Sequence, residues 1–122
     1  MRKTMLLLSV LFLSLFIASV CGAAETQDCV QQGLCISWHP NGQKFIESHY
    51  RNGTSHGLLT EWSDNGQKLR EGHSQEGKQH GLWTYWYKNG KKAGERRFQH
   101  GKPQGLWIMW DENGKEISRK VY

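Results

Sequence analysis

One segment of this chain recurs at a fixed interval of 24 residues, and nothing else in the sequence restricts its fold as tightly. Aligned on a glycine, the units open Gly33-Leu34, Gly57-Leu58, Gly81-Leu82 and Gly105-Leu106. A tryptophan stands five places on, at Trp38, Trp62, Trp86 and Trp110, and Asn-Gly follows at Asn41-Gly42, Asn65-Gly66, Asn89-Gly90 and Asn113-Gly114. A third glycine closes the first three units at Gly53, Gly77 and Gly101. The fourth unit stops at Tyr122, in the register of Tyr50 and Phe98, so the array divides into 33–56, 57–80, 81–104 and 105–122. Self-similarity at such a period marks a repeat architecture, in which each unit buries surface only against its neighbours.

The parts of one unit predict its local structure. Asn-Gly between two apolar-rich runs signals a hairpin, since both residues accept the positive φ of a tight primed turn. The segment ahead of it, Leu82 to Tyr87 for example, is rich in aromatic and Thr residues that suit a pleated surface. No window of the repeats carries apolar residues at helical spacing over three turns. Each unit therefore reads as strand, Asn-Gly turn, strand and glycine loop. The whole is expected to be all-β, an antiparallel meander of roughly eight short strands in an elongated, twisted single-layer sheet.

Alternation along the first strand of each unit separates two faces. One is nearly constant, with Leu34, Leu58, Leu82 and Leu106 followed two and four places on by Ile or Thr and by Trp38, Trp62, Trp86 and Trp110. It is expected to form the core, each indole stacking on the next. The other face varies, from Cys35, Ser37 and His39 through Leu59, Glu61 and Ser63 to Trp83, Tyr85, Tyr87, Trp107, Met109 and Asp111. In the second strand Tyr50 and Phe98 fall at the opposite parity to Phe45, Leu69, Ala93 and Ile117, which suggests a bulge there and leaves the register open.

The residues ahead of the repeats have a separate purpose. Arg2 and Lys3 precede an apolar run from Met5 to Val20, and small residues then lead into a polar stretch. That is the pattern of a secretory signal peptide, occupying 1–23 with cleavage after Ala23 or Ala24. The run falls short of the ~20 apolar residues of a membrane span. Cys21 offers lipid attachment as a second route, but Val20 and Ala18 occupy the places where a lipidation signal has a small residue and Leu. Export to the periplasm or beyond is the expectation, and residues 24–32 then form an N-terminal segment containing Cys29.

In an oxidising compartment, Cys29 and Cys35 are expected to pair and staple the start of the array. No second cysteine pair is present to complete a zinc site. Removing Arg2 and Lys3 from the chain's 16 Lys and Arg leaves 14 cations against 11 acids. These are spread along the repeats, a distribution that argues against a nucleic-acid patch.

No constellation of catalytic groups emerges. Of the six histidines, His56 and His80 are repeat-equivalent, as are His49 and His73. Equivalent positions stand two strands apart, ~9–10 Å, too far to share a metal, so surface or turn roles are expected. Glu47, Glu71 and Glu95 form a similar ladder. Identical surroundings cannot split a carboxylate pair into acid and base, whereas ion pairing across strands accounts for them. The glycines are turn glycines with no helix after them, so a nucleotide loop is excluded. No cofactor or metal is expected.

The segment HGLWTYWYKNGKKAGERRFQHGK, His80 to Lys102, resembles the MORN repeat in its bacterial variant form. The resemblance extends over the array and implies a sheet of hairpins serving as a scaffold and interaction module. Related bacterial chains are antitoxin-like, of the YwqK type, and some MORN arrays touch membrane lipids. The leading expectation is an exported, non-catalytic scaffold that contacts a protein, or a second copy of itself, through Trp83, Tyr85, Tyr87, Trp107 and Met109, because Tyr and Trp dominate interface hot spots. Two further readings are a toxin-neutralising partner in the envelope and a lipid-surface contact through Lys88, Lys91, Lys92 and Lys115.

Overall fold

The computed structural model describes residues 32–122, all strand, turn or connecting backbone. The signal segment and the pairing of Cys29 with Cys35 lie outside the described residues. The strands are β1 (Gln32–Trp38), β2 (Lys44–Arg51), β3 (Thr54–Trp62), β4 (Lys68–Gln75), β5 (Lys78–Trp86), β6 (Lys92–Gln99), β7 (Lys102–Pro103), β8 (Leu106–Trp110) and β9 (Glu116–Val121). They form one open antiparallel sheet in chain order, with β7 alongside β6. β7 and β8 together occupy the place that β3 and β5 fill as single nine-residue strands. Pro103, which has no N–H, stands at the break, and Gln104 N–H still donates to Arg97 O of β6. Beyond the break, Gly105 and Tyr122 exchange both backbone hydrogen bonds and restore the pairing.

The two kinds of turn are exchanged relative to the sequence expectation. At each Asn-Gly only the glycine has positive φ, between 82° and 87° at Gly42, Gly66, Gly90 and Gly114. Gly42 N–H donates to His39 O at 2.9 Å and His39 N–H to Gln43 O at 2.7 Å, and the other three turns repeat the arrangement. This is a type I turn followed by a left-handed glycine, and the extra residue appears as a register shift at Trp38, Trp62, Trp86 and Trp110. Asn41, Asn65 and Asn89 hold the turn through Oδ1, which accepts the N–H two residues on. In the last turn Asp111 Oδ1 takes over, accepting from Asn113 and Lys115.

The primed turns lie instead at the closing glycines. Asn52-Gly53, Glu76-Gly77 and His100-Gly101 have positive φ at both residues, and the flanking pairs Arg51 with Thr54, Gln75 with Lys78 and Gln99 with Lys102 leave two-residue loops. Two of the three therefore place a non-glycine, non-asparagine residue in the left-handed region, where side chains are disfavoured. The open register question is resolved as well. The slippage falls where Ser48 pairs with Leu59 but Tyr50 with Ser55, so the surplus residues are on β3, around Gly57 with its φ of 112°. The second strand has its own irregularity, as parity suggested: Phe45, Leu69, Ala93 and Ile117 are each surplus between paired neighbours.

Candidate binding face

With no second layer, a side chain in this sheet is buried only by lying flat on its neighbours. That condition leaves the expected core half open: Trp62, Trp86, Leu106 and Trp110 are half-buried, and its other four members are exposed. Leu34, Leu58 and Leu82 are 46%, 38% and 40% exposed and Trp38 is 50% exposed. The fully buried large side chain is Trp83, 2% exposed, from the variable face, with Phe98 next among the apolar residues. Gly72 makes this possible. A Cβ at Gly72 would stand 2.3–2.5 Å from three atoms of the Trp83 ring, so the indole occupies the space a side chain would take. Its Nε1–H donates to His73 O at 2.9 Å, one strand back.

The constant face is held by charge as well as by carbon. The indoles of Trp62, Trp86 and Trp110 do not stack on one another; each lies beneath a lysine of the preceding unit. Lys44, Lys68 and Lys92 place Nζ 5.5, 5.6 and 5.8 Å from the respective ring centroids. The same lysines bond Glu47, Glu71 and Glu95 at 2.6 Å. The glutamate ladder is thereby accounted for by pairing within each strand rather than across strands. Lys68 lowers the Glu71 carboxyl below its ordinary range, with its hydrogen bond the largest cause and Thr60 a lesser one. The last unit reverses the polarity: Glu116 stands where the lysines were and pairs with Arg119, which lowers the Glu116 carboxyl.

On the variable face a single cross-strand row runs Ser48, Leu59, Gly72, Trp83, Arg96, Trp107 and Lys120, set by the register of β2 through β9. Its N-terminal half is small or aliphatic, and the only charges near it, Glu61 and Arg70, close on each other at 2.5 Å. Its C-terminal half is aromatic and cationic. The Arg96 guanidinium lies 4.9 Å from the Tyr85 centroid and 5.1 Å from that of Trp107. Trp107 is in turn flanked by Phe98 at 5.1 Å and Tyr122 at 4.6 Å, and its Nε1–H donates to Arg97 O. Lys120 Nζ sits 4.2 Å above the Tyr122 ring. Among the described residues neither Arg96 nor Lys120 has a carboxylate within ion-pair distance.

Of the five residues expected to make contacts, Tyr85, Trp107 and Met109 share this half-buried patch. Trp83 is buried against Gly72 on the neighbouring strand. Tyr87 is in the turn, where its hydroxyl donates to Trp110 O at 2.8 Å and ties one unit to the next. Sequence reasoning passed over Arg96, Phe98, Lys120 and Tyr122. Their signal was available, because Arg96 and Lys120 are the repeat equivalents of Ser48 and Gly72, but it could be used only once second-strand register was fixed.

The remaining groups group elsewhere. Lys88 pairs with Asp64 at 3.6 Å and Lys92 with Glu95, so two of the four turn lysines face acids of the chain itself. The primed-turn margin gathers histidines more closely than repeat spacing implies: the His80 and His100 rings are 5.2 Å apart, and His73 and His80 are cross-strand partners. Among the described residues no group of three or more His, Cys, Asp or Glu is placed to hold a metal ion.

A family model described as the MORN repeat variant matches residues 31–52 and 79–100. These two segments are similar to that repeat. The two matches are 48 residues apart and correspond to the β1–β2 and β5–β6 hairpins, with a unit of the same length between them. No curated protein matches the chain.

Proposed function

We propose that this MORN-repeat chain is an exported, non-catalytic scaffold that takes a protein partner on the patch formed by Tyr85, Arg96, Trp107 and Met109. The observation that carries the reading is the composition and support of that patch. Aromatic rings and an arginine are the residue types that concentrate binding energy. They stand half-exposed next to Phe98 and Trp83, which the sheet already buries. Neighbours already packed lower the ordering cost of binding. Toxin neutralisation, which resemblance to the antitoxin-like type implies, is one form such a contact takes.

The test is cross-linking capture from the envelope fraction with the wild-type chain and with Tyr85→Ala/Met109→Ala, alongside melting curves. The proposal expects specific bands that the variant loses while its melting temperature stays within a few degrees. Identical bands for both proteins would refute it.

A further inference from the structure

We infer that the partner segment is acidic, and that Arg96, assisted by Lys120, receives a carboxylate of that segment. The inference rests on the binding-face reading and specifies its chemistry.

Arg96 has more donors than the described residues have acceptors for it. A guanidinium carries five N–H donors and cannot shed its charge. Among the described residues its sole acceptor is the thioether sulfur of Met109, at 4.0 Å. Its Nε–H is buried without any partner. Two other arginines of the sheet are closed within the chain. Arg70, one strand pair away on the same face, has Glu61, and Arg119 has Glu116. Leaving donors of a half-buried cation unmatched is costly, and among the described residues no oxygen matches them.

The surroundings of Arg96 specify the shape of what is missing. Tyr85 and Trp107 both hold the guanidinium within cation–π distance. With Nε buried and Nη2 directed only at a weakly accepting sulfur, the terminal nitrogens are the donors left for a carboxylate, the strongest acceptor for such a group. Lys120 stands two strands further along the same row, beyond Trp107, ~9–10 Å from Arg96 by strand spacing. It adds a second uncompensated positive charge at the far side of the indole. A segment with an acid over Arg96 and a second acid near Lys120 would span Trp107 between them. The N-terminal half of the row, with Glu61 and Arg70 mutually neutralised, offers no such selectivity. The charge complement is therefore negative and confined to the β6–β9 end.

The experiment is a selection. The protein expressed from its full sequence is immobilised, and random displayed dodecapeptides are selected against wild type, Arg96→Gln/Lys120→Gln, and Tyr85→Ala/Met109→Ala. Glutamine keeps a planar, hydrogen-bonding side chain at Arg96 while removing its charge. The expected result is a wild-type pool enriched in Asp and Glu over the starting library. The enrichment is lost with the Gln pair, and individual acidic peptides bind that variant at least tenfold more weakly in 150 mM salt. A pool without acidic enrichment, or the same enrichment against the Gln pair, overturns the inference. If acidic peptides are absent but vesicles of phosphatidylglycerol co-sediment with wild type and not with the Gln pair, the charged patch meets lipid and the inference again falls. Peptides that bind and depend on Tyr85 and Met109 but not on Arg96 leave the scaffold reading standing alone. Failure to select any peptide sensitive to Tyr85 and Met109 removes both.

Discussion

Replacing Gly72 by alanine tests the central packing contact in this sheet. Gly72 does not have positive φ, so its backbone accepts alanine without strain and the effect is steric. The new Cβ would lie 2.3 Å from the nearest atom of the Trp83 indole. Reaching an ordinary contact of about 3.4 Å requires the ring to lift by roughly 1 Å. Lifting breaks the Nε1–H bond to His73 O, worth about 1 kcal/mol. It also wets part of a ring that holds roughly 200 Å² from water. A third of that area, at about 25 cal/mol per Å², adds roughly 1.7 kcal/mol. Alanine returns about 0.7 kcal/mol by restricting the unfolded chain. The net loss is about 2 kcal/mol, or about 8–16 °C in melting temperature for a domain of this size.

Urea unfolding followed by far-ultraviolet circular dichroism measures the effect, with two controls. Gly94→Ala meets only a backbone oxygen at 3.3 Å and the Met109 side chain at 4.0 Å, and is expected to cost less than about 1 kcal/mol. In a Trp83→Leu background, where no indole covers Gly72, the Gly72→Ala cost is expected to fall below about 0.5 kcal/mol, a coupling near 2 kcal/mol. Should Gly72→Ala prove no worse than Gly94→Ala, or cost as much with Trp83 absent, the indole is not supported as described.

Two other changes follow from local geometry. Glu76 sits at φ 50° in a primed turn, so Glu76→Asn is expected to stabilise by about 0.5–1 kcal/mol; an unchanged or lower melting temperature contradicts the turn assignment. The Glu71 carboxyl is lowered, chiefly by its hydrogen bond from Lys68. A lowered folded value means the stabilisation is present above the unfolded value, near 4.3, and disappears as pH falls through the folded one. Lys68→Met is therefore expected to melt below wild type at pH 6 and to approach it as pH drops under about 4. A gap that stays constant from pH 6 to pH 3 would show that the pair contributes nothing.

Much of the candidate site was hidden in the sequence for a specific reason. Tyr85, Trp107 and Met109 could be placed on one face by alternation along a single strand. Arg96 and Lys120 belong to second strands, whose facing depends on a surplus residue that each holds. Ala93 and Ile117 are those residues, and alternation counted along the first strand does not place them. Tyr87 was misplaced by the same kind of slip, since the bulge at Trp86 carries it into the turn.

The 24-residue period by itself determined that this chain is an array of hairpins in one antiparallel sheet, because repeated turn glycines and strand-forming aromatics leave no other regular solution. Which face is the core was decided only by tertiary structure. Both faces of each strand offer apolar residues, and in a single layer neither is covered by another element. Burial went to the side where a missing side chain, at Gly72, let an indole lie flat on the backbone. On the opposite side the indoles of Trp62, Trp86 and Trp110 are each capped by a lysine, which leaves that face half open to water.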